Sequence, residues 1–150
     1  MPTERPPILP PPRRLLALDL GERRSGVAVS DELGLFAHVR PAIHARDSAQ
    51  LIASVQSLVA AEGVEGVVVG VPLGLSGQDT GQTRRVRAIV TLLRDCLAVP
   101  IILWDERLST TEAVKYAPGR KRRESGELDS AAAAVVLQAV LDSIRAGDHL

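Results

Sequence analysis

Leu15-Leu16-Ala17-Leu18-Asp19-Leu20-Gly21-Glu22-Arg23-Arg24-Ser25-Gly26-Val27-Ala28-Val29-Ser30 is the stretch on which the fold turns. Residues 15–20 form a short apolar run suited to a buried strand, broken by one aspartate. Residues 21–26 read as a turn with a glycine at each end, and residues 27–30 as a second strand. Residues 31–34 make another turn, and 35–43 a third strand that Pro41 weakens near its end. Short glycine-containing connections make these three strands an antiparallel meander.

Downstream the apolar period changes. Leu51, Ile52, Val55, Leu58 and Val59 recur at helical spacing, with Asp47-Ser48 at the start of the segment and Gly63 just past its end. Val67-Val68-Val69-Gly70-Val71 reads as a strand buried on both faces. A glycine-rich loop over 72–81 leads to a second helix over 82–97, which Pro100 stops. Residues 101–104 form a fifth strand. A third helix is expected from Ser109 or Thr110, with Glu112 as a capping-box partner, then a basic loop over 117–128 and a last helix over 129–144. Strands joined by helices of this length run parallel through right-handed crossovers. A meander followed by βα units predicts a mixed five-stranded sheet with helices on both faces, the outline of a ribonuclease H-like α/β fold.

The 150 residues fit one domain, and six prolines within residues 2–12 set off residues 1–13 as a disordered arm ahead of a domain over 14–150. No apolar run reaches the length of a membrane span or a signal peptide. The single cysteine, Cys96, excludes an internal disulfide or a cysteine-based zinc site, so a cytoplasmic protein is expected. Eighteen basic residues balance eighteen acidic ones, so overall charge does not advertise a nucleic-acid binder. Local charge does. Lys115, Arg120, Lys121, Arg122 and Arg123 crowd residues 115–124, Arg84, Arg85, Arg87 and Arg94 load the second helix, and Arg23 and Arg24 lie in the loop just beyond Asp19. Of these, Arg23, Arg24, Arg84, Arg85 and residues 120–123 are the candidates for contact with phosphates, whereas Arg94 reads as a solvated cation. Three aromatic residues, Phe36, Trp104 and Tyr116, are too few for a base-stacking platform, so recognition by backbone and shape is expected.

Asp19 is costly to bury alone and is therefore strand-terminal, paired or metal-bound. Asp105-Glu106 follows the fifth strand at the same carboxyl edge, where open α/β sheets place their ligands. Asp129 stands at the start of the last helix, where an N-cap is the competing role. Three acids at one edge repel unless a cation lies between them, and an all-oxygen set suits Mg²⁺ or Mn²⁺. His38, His44 and His149 lack ligand spacing and read as surface or edge residues.

The segments 16–31 (LALDLGERRSGVAVSD), 70–77 (GVPLGLSG), 83–89 (TRRVRAI), 105–112 (DERLSTTE) and 128–137 (LDSAAAAVVL) together resemble the YqgF (RuvX) family, a branch of the RuvC-like nucleases of ribonuclease H fold. The resemblance implies a cytoplasmic, divalent-metal-dependent phosphodiester endonuclease that processes the 5′ end of pre-16S rRNA, or alternatively resolves Holliday junctions as a homodimer. It implies Asp19, Glu106 and Asp129 as catalytic metal ligands, with Asp105 able to take the place of Glu106. Gly74 stands where the family often has asparagine. A catalytically silent nucleic-acid-binding module is disfavoured because all three acids are present. An actin-like ATPase needs two such domains.

Overall fold

The computed structural model describes residues 14–109 and 130–147. Within them the chain runs β1 (Leu15–Asp19), β2 (Arg24–Ser30), β3 (Ala37–His44), α1 (Ser48–Glu62), β4 (Gly66–Val71), α2 (Gly81–Cys96), β5 (Ile101–Asp105), a 3-10 turn (Glu106–Leu108) and α3 (Ala131–Arg145). The strands form one sheet in the order β3-β2-β1-β4-β5. The meander pairs antiparallel, whereas β4 pairs parallel with both β1 and β5. The expected mixed five-stranded sheet with helices on both faces is the one observed.

Strand alternation sorts the core into two layers. Leu16, Leu18, Val27, Val29, Val67 and Val69 pack on one face against Leu51 and Val55 of α1 and Val86, Val90 and Leu93 of α2. Leu15, Ala17, Ala28 and Val68 pack on the other against Ala133, Ala134, Val136, Leu137 and Val140 of α3. The alanines of α3 let its backbone lie close to the sheet. Two local devices set the length of α1. Asp47 accepts the Gln50 N–H at 2.8 Å, and Gly63 takes the left-handed conformation (φ 64°) that ends it. At the far end of the sheet Glu62 receives Arg14 at 2.7 Å and Arg40 at 3.0 Å, joining α1 to β1 and β3.

Several boundaries differ from those the sequence predicts. The second strand starts at Arg24 rather than Val27, because Gly26 pairs with Asp19 and Arg24 with His44. The third runs from Ala37 through Pro41 to His44, since an edge strand has an outer side on which a missing N–H costs nothing. Residues 106–108 form a 3-10 turn that the sequence does not signal, and the helix predicted from Ser109 or Thr110 with its capping box, together with the basic loop, lies outside the described residues. The last helix starts at Ala131, with Ser130 at its N-cap position.

Ser130 does not cap. The β2–β3 register shifts between Ser25 and Val27, which leaves the Val27 N–H without a ladder partner. The Ser130 hydroxyl accepts that N–H at 2.9 Å and donates to the Arg40 carbonyl at 2.6 Å, so it bridges the bulge from 103 and 90 residues away in sequence. Ser130 is fully buried. Ser130→Ala strands both backbone groups and is expected to cost about 2 kcal/mol or more of unfolding free energy. Urea denaturation measures it, and an unchanged midpoint would contradict the bridging role.

Candidate active site

Asp19 is the last residue of β1 and shares the parity of Leu15 and Ala17, so its side chain lies on the α3 side of the sheet. Gly70, near the end of β4, is level with Trp104 of β5, and that row also faces α3. Glu106 follows one residue after β5 ends, and its carboxyl lies directly over Gly70. A Cβ built on Gly70 would stand 2.7 Å from Glu106 Oε2 and 3.0 Å from its Cγ. The bare glycine makes the gap through which Glu106 reaches across β4 to Asp19.

The two carboxyls share a hydrogen bond. Burial pushes the Asp19 carboxyl up, while the bond from Glu106 opposes that shift. Burial, the charge of Asp19 and the proton given to it push Glu106 up to about 7, and the nearby charge of Asp105 adds to the effect. Glu106 is therefore the partner that keeps the shared proton as pH rises toward about 7. Two half-buried carboxyls held together, with no basic side chain between them among the described residues, form a site that a hard, oxygen-seeking dication fits.

Asp105 is adjacent in sequence but differently placed. Its parity is that of Ile101 and Leu103, which face α1 and α2. Its carboxylate is gripped by Arg107, whose guanidinium approaches to 2.6 Å, and also accepts the Arg107 N–H at 2.9 Å. This pairing holds the Asp105 carboxyl below its ordinary range. Arg107 also donates to the Leu75 carbonyl at 3.2 Å and lies against Gly77, so it fastens the β4–α2 loop beside the site. Of the two candidates the sequence leaves open, Glu106 is the one brought to Asp19.

Asp129, Arg120, Lys121, Arg122 and Arg123 lie outside the described residues, and among the described residues no group of three metal-ligating side chains occurs. Arg23 and Arg24 are exposed around the β1–β2 turn, and Arg84 is exposed on α2. Arg85 is half-buried and donates to the Gly21 carbonyl at 2.6 Å, bracing the turn that follows Asp19. His38 and His44 are exposed on the edge strand. Gly70 and Arg107 are the residues that sequence reasoning passes over. A glycine inside a run of valines is itself a sign of close approach by another group.

A family model described as "RuvX: Holliday junction resolvase" matches residues 13–143. The chain is 39% identical over 140 residues to a Mesorhizobium japonicum protein named "Putative pre-16S rRNA nuclease", covering 91% of this chain and 84% of the relative. A Syntrophus aciditrophicus protein of the same name is 40% identical over 136 residues, covering 87% of this chain and 89% of the relative. Among solved structures, Thermus thermophilus RuvC in complex with a Holliday junction substrate superposes with a TM-score of 0.59 at 13% identity, over 91% of this chain and 98% of that one. The fowlpox virus resolvase in complex with Holliday junction DNA gives 0.56 at 9% identity, over 87% and 98%. At these identities the likeness shows the shared fold.

Proposed function

Because the chain belongs to the RuvX family, we propose that it is a divalent-metal-dependent nuclease that trims the 5′ side of precursor 16S rRNA. The observation that carries this proposal is the meeting of Asp19 and Glu106 over Gly70 at the carboxyl edge of the sheet. Asp19 and Glu106 would hold Mg²⁺ or Mn²⁺, with Asp129 as the proposed third ligand. A dication held there would supply Lewis-acid polarisation of the phosphate and would ease ionisation of an attacking water. Glu106 would serve as a ligand in its ionised form. The Ser130 bridge fixes the start of α3 next to β2, where Gly26 pairs with Asp19. Arg23, Arg24, Arg84 and the 120–123 run neutralise substrate phosphates, and Arg85 keeps the β1–β2 turn in place. Contacts of this kind supply affinity without sequence preference. Among the described residues no helix is long and apolar enough to cross a membrane, in keeping with a cytoplasmic enzyme.

The second reading, a resolvase acting on branched DNA as a homodimer, is favoured by the description of the matching family model. One assay addresses both. Precursor rRNA, a single strand of matching sequence and a four-way DNA junction are each incubated with the protein in Mn²⁺, Mg²⁺, Ca²⁺ or EDTA. Cleavage of the rRNA precursor in Mn²⁺ or Mg²⁺ is expected, with little in Ca²⁺, whose looser geometry positions the attacking water poorly. Paired nicks on the junction alone would select the resolvase, and robust cleavage in EDTA would overturn the metal mechanism.

A further inference from the structure

A cleft of about 380 Å³ opens on the opposite side of the β1–β2 turn from the carboxylates. Its walls are that turn, the β3–α1 connection and the outer part of α2. Leu51 and Ile89 form an apolar floor, and Leu92 stands at its side, 43% exposed although it is a large apolar residue. Arg23 and Arg46 stand at the rim, and Arg85 reaches in from α2 to the Gly21 carbonyl. The backbone on both sides is fixed. The Arg23 carbonyl receives the Ala45 N–H at 3.0 Å, and the Arg46 N–H is held by the Gln50 side chain at 2.6 Å. The guanidinium groups of Arg23 and Arg46 have no partner among the described residues. Two acids also line the cleft. Asp47 is committed to capping α1, and Glu22 is exposed at the tip of the turn.

We propose that this cleft is a subsite for one nucleotide of the substrate strand, its phosphate on Arg23 and Arg46 and its base against Leu92 and Ile89. The proposal rests on the nuclease reading and extends it to where the strand goes after crossing the β1–β2 turn. The volume lies within the range of small-ligand pockets. Guanidinium groups without a partner among the described residues, set at the rim over an apolar floor, match the two chemical halves of a nucleotide. A base laid on an aliphatic wall needs no aromatic residue, in keeping with a chain that has only one Phe, one Trp and one Tyr.

The test uses the full chain carrying Asp19→Asn, so that nucleic acid is bound and not cut. Single-stranded RNA and a four-way DNA junction are titrated in separate arms, followed by fluorescence anisotropy and by the methyl NMR signals of Leu51, Ile89 and Leu92, with Leu33 at the far end of the sheet as control. The three cleft methyls are expected to shift and Leu33 to stay. Arg46→Ala is expected to weaken binding about fivefold to tenfold and to reduce the salt slope by about 0.7, the value for one single-strand phosphate contact. Leu92→Ser is expected to weaken binding by a similar factor with an unchanged salt slope, because it removes a contact with the base. Shifts in one arm alone identify which nucleic acid enters the cleft. Unshifted cleft methyls, or an Arg46→Ala protein with wild-type affinity and slope, overturn the subsite. A wild-type protein that cuts neither nucleic acid while the cleft methyls shift would sink the nuclease reading and leave the subsite standing.

Discussion

Asp19→Asn is expected to lower the cleavage rate at least a thousandfold while leaving the protein folded. The amide keeps the size of the carboxyl but cannot supply the negative charge that holds a dication, and the loss of electrostatic stabilisation at a reacting phosphate is worth several kcal/mol. Glu106→Gln is expected to match it in activity, and it carries a second signature in stability. The Glu106 carboxyl is pushed up to about 7 from an ordinary value of 4.5. Between these values the unfolded chain has released a proton that the folded chain still holds, so folding is progressively disfavoured as pH rises through that window and the penalty is constant above it. Gln removes the penalty. In metal-free buffer the variant is therefore expected to be more stable than wild type at pH 8, by on the order of 1–2 kcal/mol after allowing for solvent screening at a half-exposed group, and equal to it near pH 4. Thermal melts in EDTA across this range measure it. A Glu106→Gln protein that cuts RNA normally, or whose stability difference does not grow with pH, would remove Glu106 from the site.

Gly70→Ala separates activity from stability in the other direction. The added Cβ would meet Glu106 Oε2 at 2.7 Å, closer than a Cβ can come, and Cγ at 3.0 Å, a tight contact. The obstruction falls on the far end of a flexible side chain, so Glu106 swings aside and the backbone stays. Unfolding free energy is expected to change by less than about 1 kcal/mol, since alanine in a strand interior also loses less chain entropy than glycine. Cleavage is expected to fall at least a hundredfold, because displacements of this size at a reacting centre cost about that much. Mn²⁺ titration of the variant should show weaker binding to match. Near wild-type cleavage by Gly70→Ala would mean that Glu106 acts from somewhere other than above β4.

Much of the architecture is legible in the chain because its periods are clean. The valine run of β4 and the helical spacing of Leu51, Val55 and Leu58 assign their elements directly, and Asp47 and Gly63 mark the ends of α1. The choice between Asp105 and Glu106 is not legible. Ile101 to Trp104 are apolar at every position, so no alternation tells which parity faces which layer. Only the register of β5 on β4, level at Gly70 and Trp104, decides it. Ser130 is opaque for a related reason. Beside Asp129 it looks like a helix-start residue, and its actual partners belong to a bulge in strands far away in sequence. The start of α2 is capped by Thr80 with Thr83 rather than by the usual acid, which leaves no strong signal either.

The bridge from Ser130 to Val27 and Arg40 also bears on the order in which the molecule is made. A ribosome delivers β1 to β5 and both helices of one layer well before it delivers α3. During that interval Leu15, Ala17, Ala28 and Val68 lack the cover of α3, and the Val27 N–H at the bulge lacks the Ser130 hydroxyl. The closing contacts span most of the chain, the kind whose loop-closure cost slows folding. Docking of α3 is thus the step that seals the sheet, and a nascent chain halted before residue 130 would hold Asp19 and Glu106 on a face without α3. Hydrolytic competence would then wait for the synthesis and docking of α3.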